Sequence, residues 1–164
     1  MLRTIHLLRH AEAAPSRPGQ TDAARTLTMR GYRQAEKFAG IALSHTIDFV
    51  LSSPATRTRE TIAPLLASAR PTPTVVYEPK IYNTCVEGLI DILLATDAAH
   101  GSVLLVGHNP TISELADALA GPTNIPETMS PATWVVLEFE GDWLDLGEGL
   151  AKLLTWDRRA ADLV

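Results

Sequence analysis

The chain has one cysteine, no apolar run long enough to cross a membrane and no surplus of positive charge. The single cysteine, Cys85, excludes an intrachain disulfide. No Cys/His spacing of the zinc-binding kind accompanies it, which argues against a metalloenzyme and suits a reducing cytosol. The opening stretch Met1-Leu2-Arg3-Thr4-Ile5-His6-Leu7-Leu8 stops at Arg9-His10, far short of the roughly 20 residues a span needs, so it reads as a strand rather than a leader or an anchor. A net charge of −5 argues against nucleic acid as the main partner, because phosphate-backbone binding normally rests on a basic face. Any anion site must be a local basic pocket in an acidic protein. Repeats and low-complexity tracts are missing as well.

What remains is a chain of 164 residues, 46% hydrophobic, with the length and apolar content of one domain over 1–164. Residues 3 to 8 read as a buried strand and 11 to 26, with Pro15, Pro18 and Gly19, as a loop. Thr28 caps a helix whose inward face is Tyr32, Ala35, Phe38, Ala39 and Ala42, with Gly31 as a mild cost in its first turn. A strand over 47–51 leads to a helix capped by Ser53-Pro54, running to about Ser68 and kinked at Pro64. A short strand at 75–77 precedes a helix with the face Val86, Leu89, Ile90, Leu93 and Leu94. Val103–Val106 has the continuous apolar character of a central parallel strand, and Asn109-Pro110 caps a helix that ends at Gly121-Pro122. Two final strands, 133–139 and about 151–156, add an antiparallel edge. Strand and helix in alternation predict an α/β sandwich, a layered fold with a mostly parallel central sheet.

Three polar clusters fall where a strand gives way to a loop: Leu8-Arg9-His10, Ser52-Ser53-Pro54-Ala55-Thr56-Arg57, and Gly107-His108-Asn109-Pro110. Ligands of open α/β sheets bind beyond the carboxyl ends of the strands, so these groups converge on one crevice although the sequence separates them. Two arginines and two histidines there describe a phosphoryl site. A neutral His10 is a competent nucleophile, and Arg9 both binds phosphate and lowers the histidine's pKa by like-charge repulsion. Arg57, in the first turn of its helix, can hold two phosphate oxygens with its planar fork; the competing reading is a surface arginine paired with Glu60 or Glu36. Arg59, two residues on, reads as a surface charge. His108 can donate to a phosphoryl oxygen as charge develops, or can be a satisfied structural histidine near a cap. His6 belongs to the first strand, buried or half-buried, and His45 and His100 read as exposed.

These motifs carry a resemblance. Leu8-Arg9-His10-Ala11-Glu12, Arg25-Thr26-Leu27-Thr28 followed by Gly31, Ser52-Ser53-Pro54 with Arg57 and Thr61, and Val106-Gly107-His108-Asn109 together resemble the histidine phosphatase superfamily, and the short chain is most similar to its SixA-type members. The resemblance implies a phosphoglycerate mutase-like three-layer α/β/α sandwich. It implies His10 as a transiently phosphorylated nucleophile, Arg9 and Arg57 as phosphate clamps, and His108 as the second pocket histidine, with Arg25 a further candidate. Ala11 stands where the family usually has glycine. The acid that family members use to protonate a leaving alkoxide has two candidates here, Glu87 and Glu12. Without an assured acid, a good leaving group such as an imidazole is favoured.

The expectation is a metal-independent phosphatase in need of no cofactor, acting on a phosphorylated protein carrying phosphohistidine or on a small phosphorylated metabolite, and releasing inorganic phosphate. Neither nucleic acid nor a membrane is expected as partner, and the cytoplasm is the expected compartment. A phosphomonoesterase of the same superfamily and a non-catalytic phosphate- or phosphopeptide-binding module are the alternatives. The loops 11–26 and 122–131 are expected to set how deep the pocket is.

Overall fold

Apolar segments too short for helices form the centre of the molecule, a computed structural model that describes residues 1–121 and 124–164. β1 (Leu2–Arg9), β2 (Phe49–Ser52), β3 (Thr74–Tyr77) and β4 (Ser102–Gly107) run parallel, while β5 (Trp134–Glu140) and β6 (Lys152–Asp157) add an antiparallel edge. The strand order is β3-β2-β4-β1-β5-β6. Every residue of β4 is buried, as its unbroken apolar sequence requires of a strand enclosed on both edges and both faces.

The two faces of the sheet read out the period of two along each strand. On one face Ile5, Leu7, Leu51, Val103 and Leu105 pack with Leu89 and Leu93 of α3 (Val86–Leu94) and with Ile112, Leu115 and Leu119 of α4 (Thr111–Ala120). On the other, Leu8, Val50, Leu104 and Val106 pack with Ala35 and Phe38 of α1 (Met29–Ala42) and with Ile62 and Leu65 of α2 (Thr56–Ser68). The architecture is therefore the expected three-layer α/β/α sandwich with a mostly parallel sheet. Each fully buried leucine contributes on the order of 1.5–3 kcal/mol, and both cores are dense with them.

Several local expectations are corrected. Thr28 caps α1 as expected, its hydroxyl accepting from the Gly31 amide, but Tyr32 lies outside the apolar face, exposed, with its hydroxyl donating to Glu60. Gln34 occupies the inward position instead. Gly31 is not a cost but a requirement, because a Cβ there would lie 2.1 Å from the Glu12 carbonyl oxygen. Ser53-Pro54 does not cap α2, which starts at Thr56 and continues unbroken past Pro64; the Ser53 hydroxyl is engaged elsewhere. Asn109 holds the start of α4 through a side-chain contact with Ser113 rather than through a backbone amide. His100 is half-buried, stacked flat on Phe49 at 4.3 Å. Within the 11–26 loop Asp22–Ala24 form a 3-10 turn, and Ala13 bridges to Leu27. Pro122, expected to follow the end of α4, and its neighbour in the 122–131 loop lie outside the described residues.

Candidate active site

Strand register gathers the three polar clusters. Arg9 is aligned with Gly107 across β1 and β4, and Ser52 with Val106 across β2 and β4, so all three strands end at one level. The chain leaving each strand is tied to β4: the His10 amide donates to Gly107 and the Ser53 amide to Val106. His10 and His108 consequently face one another with ring centroids 5.2 Å apart.

The hydrogen bonds fix what His10 can do. Its Nδ1 lies 2.7 Å from the Ala11 carbonyl oxygen, which only accepts, so Nδ1 carries the proton and the lone pair sits on Nε2. That peptide is itself held in place. The Ala11 amide donates to Thr61, and the Glu12 amide donates to the buried side chain of Gln34. His10 is 8% exposed. Burial is the largest cause that drives its pKa down to about 3, opposed by the Ala11 hydrogen bond and aided by His108, Arg57 and Arg9. The expected like-charge effect of the arginines is present but secondary. His108 is lowered to about 4, again first by burial and then by Arg57. Both imidazoles are therefore neutral at pH 7.

The two guanidinium groups are gripped from behind. Arg9 donates from Nη1 to the Met129 carbonyl, which also accepts from Asn109. Arg57, 6% exposed, donates from Nη1 to the Asp22 carbonyl and from Nη2 to the Asp22 carboxylate at 3.0 Å. In both residues Nε is buried and, among the described residues, has no hydrogen-bond partner, and neither has His108 Nδ1. Buried donors without acceptors are uncommon, and each costs about 1–3 kcal/mol. Two such guanidinium donors, together with an open nitrogen on His108, describe a seat for an acceptor-rich anion.

The remaining predicted residues are placed differently. Arg25 is tied to Asp22 and to the Ala14 carbonyl, at the rim of the cluster. Glu12 is engaged by the Thr28 hydroxyl at 2.7 Å and by Arg30 at 3.6 Å. Glu87 is exposed in the first turn of α3, where a backbone hydrogen bond lowers its pKa. Arg59, exposed as expected, lies over the Tyr77 ring. Two groups were missed: Asp22, which holds Arg57, and Tyr82, which donates to Asp22 at 2.5 Å and stands edge-on to His108. The Tyr82 and Arg25 hydrogen bonds push the Asp22 pKa below the usual carboxylate range, and the same pairing raises that of Tyr82. Only the acidic residue in the loop pointed to Asp22; its partner lies 35 positions away. A cavity of about 550 Å³ lies near the amino ends of β2 and β3, lined in part by Asp48 and Thr74, away from this cluster.

A parallel sheet that presents two neutral imidazoles and two anchored guanidinium groups beyond its carboxyl edge defines a protein built for phosphoryl chemistry. The family model of the histidine phosphatase superfamily (branch 1) matches residues 5–81. Uncharacterized protein Rv1276c of Mycobacterium tuberculosis is 31% identical over 159 residues, covering 90% of this chain and 96% of that protein. Among solved structures, a candidate phosphohistidine phosphatase SixA from Nakamurella multipartitia superposes with a TM-score of 0.80 at 30% identity, over 96% of both chains. A second, from Agrobacterium tumefaciens, gives 0.81 at 28% identity, over 94% of this chain and 97% of that one. The chain belongs to the histidine phosphatase superfamily, with these SixA proteins among its structural neighbours, and it is a phosphatase.

Proposed function

We propose that this phosphatase removes phosphoryl groups from protein phosphohistidine through a covalent intermediate on His10, as one histidine phosphatase domain spanning 1–164. The observation that carries the reading is the hydrogen bond from His10 Nδ1 to Ala11, which leaves the lone pair on Nε2, in a cluster where the Nε donors of Arg9 and Arg57 are buried and, among the described residues, unpartnered. In the first step Nε2 attacks phosphorus in line as the substrate's P–N bond breaks, and the leaving imidazole, protonated from solvent on its other ring nitrogen, departs with the electron pair of that bond. In the second, water attacks phospho-His10, inorganic phosphate leaves, and Nε2 recovers its lone pair. Arg9, Arg57 and His108 hold the equatorial oxygens, and the guanidinium charges perform the neutralisation for which other phosphoryl-transfer enzymes use a metal.

The acid chemistry favours phosphohistidine over a phosphomonoester. An alkoxide leaves poorly without a proton. Asp22, the carboxylate nearest the clamp, is held ionised, and the Tyr82 proton is committed to it. Glu12 is occupied by Thr28 and Arg30, and Glu87 is exposed. An imidazole leaving group needs less help. The measurement that separates the two is kcat/KM on a phosphohistidine protein against an alkyl phosphate. A preference for phosphohistidine of about 100-fold or more is expected, equal to about 2.7 kcal/mol of transition-state stabilisation. A preference for the alkyl phosphate replaces this reading with the phosphomonoesterase, and binding without turnover replaces it with a phosphate-binding module.

A further inference from the structure

Ser53 is completely buried, and among the described residues its hydroxyl oxygen has two partners: it accepts from the Ala55 amide at 3.3 Å and lies 2.7 Å from His108 Nε2. We propose that Ser53 is a positioning residue that fixes the tautomer of His108, its hydroxyl donating to Nε2 so that Nδ1 keeps the proton and presents it to the phosphoryl oxygen.

Two independent requirements choose this direction. The hydroxyl carries one hydrogen, and with the Ala55 amide already donating to the oxygen, Nε2 is the acceptor that remains. Were Nε2 the protonated nitrogen, the serine hydrogen would be buried without a partner. The second requirement lies across the ring. His108 Nδ1 is buried and, among the described residues, unpartnered; with the oxyanion as the partner assigned to it, a lone pair on Nδ1 would repel the anion, whereas an N–H would donate to it as charge develops. A neutral imidazole has one N–H to spend, so the choice of nitrogen decides whether His108 helps or hinders.

The two histidines are thereby set in complementary states by neighbours that touch neither substrate nor product. Ala11 accepts from His10 and leaves it a lone pair; Ser53 donates to His108 and leaves it an N–H. Ser53 therefore governs the chemical step more than the docking of substrate. The inference rests on the reading of His108 as an oxyanion donor, but the tautomer itself exists in the free enzyme.

The test is the imidazole ¹⁵N spectrum of the free wild-type protein at pH 7, with the His108 signals assigned by their loss in His108→Asn. Protonated Nδ1 with a lone pair on Nε2 is expected, and protonated Nε2 overturns the proposal. A double-mutant cycle adds a functional readout. Ser53→Ala is expected to lower kcat by about 10- to 100-fold with little change in KM, and to cost nothing further in the His108→Asn background. An equal loss in both backgrounds overturns the claim that Ser53 acts through His108. The wild-type spectrum stays decisive if Ser53→Ala fails to fold. If the spectrum shows Nδ1–H but phosphohistidine is not turned over, the substrate reading fails and the tautomer assignment stands.

Discussion

Lowering the pH from 7.5 to 5 should destabilise this protein through three buried histidines. His6 and His10 have pKa values lowered to about 3, and His108 to about 4, with burial the leading cause in each. In the unfolded chain all three return to about 6.5. Between the folded and unfolded values the unfolded state binds more protons, so stability rises with pH; the contribution is complete above about 6.5 and declines as pH falls below it. At pH 5 each histidine has forfeited about 2 kcal/mol, or about 6 kcal/mol together, against a whole-domain stability of about 5–15 kcal/mol. For a chain of this size that is a fall in Tm of roughly 12–24 °C. Urea unfolding at half-unit pH steps measures it. His6 sits farthest from the chemistry, bonded to Ser102 and stacked on Trp134, so His6→Gln should remove about a third of the slope without touching the clamp. A stability that is flat between pH 7 and 5, or a slope unchanged in His6→Gln, would refute the reasoning. Activity per folded molecule should meanwhile hold down to about pH 5, since His10 stays unprotonated.

Three further outcomes are expected. Gly31→Ala should cost about 1–3 kcal/mol in thermal unfolding, because its Cβ would strike the Glu12 carbonyl at 2.1 Å and the backbone must shift. Arg57→Lys keeps the charge but gives up the planar fork whose two Nη groups are held by Asp22 while Nε is left for the anion, and kcat should fall by about 100-fold in steady-state kinetics. Asp22→Asn removes a negative charge beside the phosphate seat, so inorganic phosphate should inhibit about 5- to 10-fold more tightly in competition assays.

The strands were legible because buried parallel strands need apolar runs, and β4 is the clearest instance. The clustering of these histidines and arginines was legible because Arg9 ends β1, His10 and His108 directly follow β1 and β4, and Arg57 lies in the first turn of the helix after β2, so the register had little freedom in where to put them. Tyr32 was misplaced because periodicity marks a stripe without fixing its edge; Gln34 took the inward position by finding partners for its amide in Glu12 and Ala161. Ser53-Pro54 reads as a helix cap by local preference, but its hydroxyl gains a buried contact with His108 that no local rule contains. Asp22 and Tyr82 were invisible for the same reason. Their pairing joins positions 60 apart through a loop whose path depends on the finished fold.

The most direct test of the account is the fate of the phosphoryl group on His10. Wild-type protein mixed with a ³²P-labelled phosphohistidine protein and quenched in alkali within one turnover should carry an acid-labile, alkali-stable label that peptide mapping places on His10, and His10→Asn should carry none. A label at another residue, or rapid turnover by His10→Asn, would contradict it.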